Sequence, residues 1–97
     1  MARKNYVQYP QRAFLRPLTH AQHHILACLC LLDYRTAHGD GHDRFFSITD
    51  RDLANFVGCH RFTITEAKHA LVREKLIATW TGPDTRSCYR ILYEDPI

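Results

Sequence analysis

Apolar positions along the chain divide it into three helical stretches, one short extended run and a closing pair of alternating segments. After Thr19, a plausible N-cap, the spacing predicts a helix over about His20 to Arg35. At 100° per residue, Ala21, Ile25, Cys28, Leu29 and Leu32 share one stripe, and Leu26, Cys30 and Leu31 make the flanks apolar too. A helix so apolar around its girth belongs at the centre of a core. His38-Gly39-Asp40-Gly41 then supplies a stop and a turn, and Arg44 to Ile48 has the aromatic and β-branched content of a short strand.

Thr49, with Asp52 three residues on, resembles a capping box and opens a helix through about Val57, with Leu53, Phe56 and Val57 as its inner side. Gly58 ends that helix. A third begins at Cys59 or His60 and runs to about Glu74 or Lys75. Its inward stripe is Ile64, Ala67 and Leu71; its outward stripe is Phe62, Glu66, His69 and Arg73, with Thr65 at the edge. Alternation from Ile77 to Thr81 and from Ser87 to Tyr93, around Gly82-Pro83-Asp84-Thr85, predicts a β-hairpin with a loop longer than two residues. Before all this, residues 1–17 hold Pro10 and Pro17 and the aromatics Tyr6 and Tyr9, predicting an extended arm anchored on the core by its rings.

The expected organisation is therefore an arm over residues 1–17 and one domain over residues 18–97. Its class is mainly α with a small β-hairpin: arm, helix, short strand, helix, turn, helix, two-stranded wing. With 97 residues there is surface for one core, and 45% apolar content supports a compact one. No apolar run nears the roughly 20 residues of a membrane span, so no membrane partner is expected and a cytoplasmic location is. The four cysteines are irregularly spaced, which points to reduced thiols.

Charge changes the picture locally. Net charge is +3, but residues 1–32 hold Arg3, Lys4, Arg12 and Arg16 with no acid, while the remainder is nearly balanced. A basic arm suits a polyanion. In a helix-turn-helix the second helix enters the major groove, whose width of about 12 Å admits it. Ala54 gives the small residue wanted at the helix crossing, and Gly58 the sharp turn. Arg61, Phe62, Thr65, Glu66 and His69 are then candidates for base contact, and Arg61 and Thr63 for phosphate at the positive end of the helix.

The stretch Leu53-Ala54, Gly58, Arg61, Thr63-Ile64, Ala67-Lys68, Leu71, Leu76-Ile77 resembles the winged helix domains of phage replisome organisers and plasmid replication initiators. Tyr6-Val7, Tyr9-Pro10 and Leu18-Thr19 resemble their leading segment, so the likeness covers about residues 5 to 93. It implies a small protein of a mobile element that binds double-stranded DNA sequence-specifically, in replication initiation or transcription regulation. It also implies wing contacts from Arg86; Arg73 on the outward stripe and Arg3 and Lys4 in the basic arm are further DNA-binding candidates by their charge and position. Three positions depart from the pattern: His60 replaces a cap serine, Lys75 replaces a glycine, and Phe62 and Glu66 stand where basic or small polar residues are commoner.

Other chemistry is thinner. His20, His24 and Cys28 are spaced i, i+4, i+8, but no CxxC or HExxH pattern accompanies them, and no metal or other cofactor is expected. Cys59 and His60 are adjacent at a helix start, where they cannot readily pair as nucleophile and base, and no oxyanion or phosphate-binding loop is present, so an enzyme is not expected. The alternative use of the fold is a protein-interaction module, such as a phage-encoded inhibitor of a host machine, favoured by Phe62 and Glu66. A homodimer built on the first helix or the arm is a further possibility.

Overall fold

The computed structural model describes residues 7–84 and 86–93. Helix α1 spans His20–Thr36, strand β1 Phe46–Ile48, α2 Asp50–Val57, α3 Arg61–Arg73, β2 Ile77–Thr81 and β3 Ser87–Ile91. Three helices thus precede a hairpin, and β1 joins that hairpin in an antiparallel sheet of order β1-β3-β2. The central strand pairs Tyr89 with both Phe46 and Thr79, and Ile91 with Ile77. This is the winged helix arrangement expected, with the short strand as the third member of the sheet.

Each helix begins and ends for identifiable reasons. Thr19 accepts the Gln22 amide hydrogen while the Gln22 side chain accepts from Thr19 N–H, a complete capping box. Thr49 accepts from the Asp52 amide, the backbone half of such a box. Gly58 closes α2 in the left-handed region, at φ 83°. Gly39 is needed for a second reason: at φ 81°, a Cβ there would lie 2.8 Å from the Asp43 carbonyl oxygen, in a loop closed by the paired backbones of His38 and Phe45.

The core is built where α1, α2 and α3 meet the sheet. Ile25, Leu26, Leu29, Leu53, Ile64, Leu71, Leu76, Ile77, Phe46 and Tyr89 are all buried, and Phe46 stacks on Tyr89 with centroids 5.3 Å apart. Two expected faces are corrected. On α1, Ile25, Leu29 and Leu32 are buried as expected, but the buried side extends toward Leu26, Cys30 and Asp33, leaving Ala21 exposed and Cys28 half-buried; Asp33 meets Arg44 and Tyr93 there. On α2, Ala54 takes the buried place expected of Phe56, which is 41% exposed; a small side chain lets α2 approach its neighbours closely.

The arm also differs. Gln11–Leu15 form a 3-10 turn between the two prolines rather than continuous extended chain. Tyr9 does anchor it: the hydroxyl lies 2.6 Å from His23 Nδ1 on α1, and Phe14 stacks on the same imidazole. Arg12 donates to the Lys75 carbonyl at 2.6 Å, fixing the arm to the end of α3. Arg3, Lys4 and Tyr6 lie outside the described residues.

Candidate nucleic-acid interface

Helix α3 is held by one face and open on the other. Ile64, Ala67, Ala70 and Leu71 are buried, as the inward stripe predicts. Arg61, Phe62, Thr65, Glu66, His69 and Arg73 all lie on the exposed arc, and Phe62 is 65% exposed, so it packs on neither Phe56 nor the wing to any large extent. Thr63 stands outside this arc and is half-buried.

The start of the helix is made by an imidazole. His60 Nδ1 accepts the Phe62 amide hydrogen at 3.1 Å, so the imidazole acts as the N-cap and satisfies one orphan N–H. The Thr65 hydroxyl donates to the Arg61 carbonyl at 3.2 Å, and the residue is exposed. At the far end, Leu76 N–H donates to the Leu71 carbonyl at 2.9 Å and Lys75 N–H to the Val72 carbonyl at 3.0 Å. That is a Schellman closure with Lys75, at φ 61°, in the position glycine usually occupies.

A cluster that the sequence pattern did not single out sets the wing beside α3. Lys68 points away from the exposed arc and donates to Asp50 Oδ1 at 2.9 Å and to Ser87 Oγ at 3.3 Å. Its ammonium also sits 5.4 Å from the centre of the buried Tyr89 ring. Burial works against the charge, but the hydrogen bond to Asp50 and the other contacts outweigh it, so the Lys68 pKa is raised. Burial also raises Tyr89, against the opposing pull of Lys68. Asp50 stands in the first turn of α2, and nothing in local spacing links it to a lysine eighteen residues on.

The wing cation lies against the sheet. Arg86 is half-buried, its backbone N–H donates to Asp84 Oδ1 at 3.2 Å, and its guanidinium turns back to the Ser47 carbonyl at 3.4 Å. Arg90 lies over the Trp80 ring at 5.4 Å. Arg73 pairs with Glu74 at 3.4 Å. Of the named cations, Arg61 is therefore the one on the open face that no ion pair engages among the described residues.

Of the His20, His24 and Cys28 set, His24 Nε2 and Cys28 Sγ approach to 3.9 Å. Among the described residues no group of three or more His, Cys, Asp or Glu side chains is arranged to hold a metal ion. His20 and His24 instead line a shallow groove of about 480 Å3 with Tyr9, Phe14, His23 and Ala27. All four cysteines are free thiols.

No protein-family model matches the chain. No curated protein matches it either. A solved structure described as "N-Terminal domain of DNA binding protein" superposes with a TM-score of 0.71, covering 97% of this chain and 77% of that one at 18% sequence identity. At that identity the likeness is one of fold. Among the described residues no helix is long and apolar enough to cross a membrane.

Proposed function

We propose that this protein binds double-stranded DNA sequence-specifically, acting by binding rather than catalysis, with α3 in the major groove and the arm and wing on the flanking backbone. The observation that carries it is the open face of α3, where Arg61, Phe62, Thr65, Glu66 and His69 face solvent on a helix otherwise locked into the core. The fold shared with a domain of a DNA binding protein supports it, as does the basic leading segment. Within that function, a mobile-element role in replication initiation or transcription regulation follows the resemblance of the helix-turn-helix residues. A mobility-shift series with random and selected duplexes at low salt tests it; absence of any shift sinks the idea.

A second reading has its own observation. Phe62 and Val72 are 65% and 43% exposed on the same helix, and such apolar side chains also serve as anchors for a protein. A host protein captured after nuclease treatment, and lost on Phe62→Ala, supports that use. A second copy of this chain is a further partner, for which the arm offers Phe14 and Leu15, 72% and 86% exposed; the mass in light scattering decides it.

A further inference from the structure

Glu66 is the residue of the α3 face that simple phosphate binding does not explain. It is exposed, stands one turn after Phe62, and among the described residues no ion pair holds it. A carboxylate brought near phosphates is repelled, so a groove contact has to supply a donor in return. Major-groove edges offer donors only at cytosine N4 and adenine N6. Guanine shows the acceptors O6 and N7, and thymine shows O4. At adenine, the N7 lone pair beside the amino group repels the second carboxylate oxygen. Cytosine N4 has an acceptor on one side only, the O6 of the paired guanine, and C5–H on the other, whereas adenine N6 is flanked by acceptors on both sides.

Phe62 adds a second preference. Residues four apart on a helix have Cβ atoms about 5–6 Å from each other, and bases on one strand rise about 3.4 Å per step, so the two side chains reach neighbouring base pairs. A phenyl ring has no hydrogen bond to offer and gains from the thymine C5 methyl.

We propose that Glu66 and Phe62 make α3 a reader of cytosine beside a thymine methyl group, an inference that rests on the DNA-binding reading above. Selection from a random duplex library at low salt, with wild type and Glu66→Gln, tests it. The wild type is expected to enrich cytosine at one position with thymine at a neighbour, by about tenfold over the other bases. Glu66→Gln moves that position to adenine, because an amide matches N6 and N7 together.

On the selected site, replacing the thymine by uracil removes only the methyl group and is expected to weaken wild-type binding about fourfold. Phe62→Ala should be blind to that replacement. Circular dichroism checks that the variants fold, and the uracil arm needs no variant. If the duplexes are bound but Glu66→Gln selects the same base, or uracil changes nothing, the inference is overturned while DNA binding stands. If the wild type retains no duplex, DNA binding itself falls and takes the inference with it.

Discussion

Lys68 Nζ lies 2.9 Å from Asp50 Oδ1, joining the middle of α3 to the first turn of α2. Ser87 Oγ donates to the same carboxylate oxygen at 3.1 Å, so the first residue of β3 is part of the joint. The lysine side chain is 15% exposed and the aspartate 40%, which places the pair between surface and interior. Asp50→Asn is expected to cost about 1 kcal/mol, the upper end for such a pair after solvent screening, seen as a lower urea midpoint. The pH dependence has a definite sign. The Lys68 pKa is raised above its ordinary 10.5 in the fold, so the pair's contribution is whole below that value and is lost as pH rises through the folded one. The variant should show a shallower loss of stability in that alkaline range.

Two helix ends give opposite predictions from the same physics. Gly58 and Lys75 both have positive φ, at 83° and 61°. A Cβ on Gly58 meets nothing within 4 Å, so Gly58→Ala is opposed by backbone strain alone, about 1–2 kcal/mol. Lys75→Gly relieves that strain and should stabilise by about 1 kcal/mol, or roughly 4–8 °C in Tm for a domain of this size. Thermal melts of the two single variants, moving in opposite directions, check both.

Asp33 is buried in α1 and its carboxylate holds two groups. Arg44 Nε lies 3.2 Å from each carboxylate oxygen, and the Tyr93 hydroxyl donates to Oδ2 at 2.8 Å. Asp33→Ala strands Arg44, but that side chain is 38% exposed and can rehydrate, so a loss of about 3 kcal/mol is expected, at the low end for a broken buried pair. Tyr93→Phe should cost about 1 kcal/mol. Chemical denaturation of both variants, with the double variant costing less than the sum, identifies a shared network.

The same residue shows where sequence reasoning reached its limit. Periodicity placed α3 well, because Ile64, Ala67 and Leu71 fall on one stripe, and the remaining large apolar residues, Phe62 and Val72, do not form a second one. On α1 it could not choose among several apolar faces. The deciding residue was polar, with partners eleven and sixty positions away. The resemblance named Arg86 for the wing, and its turn back onto Ser47 depends on a sheet pairing that local pattern does not contain. Lys75 was the converse case: it stands where the resembled pattern has a glycine, and its φ of 61° is a conformation glycine adopts without strain.

The thiols should divide by burial. Cys30 is wholly buried, and burial, with the nearby Asp33 adding to it, pushes its pKa up to about 12. Cys28 and Cys59 are half-buried, also raised by burial but closer to solvent. A thiol reagent near neutral pH, followed by mass spectrometry, is expected to modify Cys28 and Cys59 first and Cys30 only on unfolding. Because Cys30 is raised from 9.0 to about 12, its contribution to stability is complete below pH 9 and is lost as pH climbs toward 12.

Arg61 bears the sharpest functional prediction of the open face. It is exposed on the first turn of α3, where the positive end of the helix adds to its charge. Arg73 on the same arc is partly neutralised by Glu74, and Arg86 is turned onto the sheet. If α3 enters the groove, Arg61 meets a phosphate, and Arg61→Ala removes one contact of a kind every duplex provides. Affinity should then fall by a similar factor for selected and random duplexes, and the slope of log affinity against log salt should lessen by about 1. Phe62→Ala should leave that slope unchanged and reduce the gap between selected and random duplexes instead. Titrations at several salt concentrations separate the two effects, and an Arg61→Ala slope equal to that of wild type removes Arg61 from the phosphate contacts.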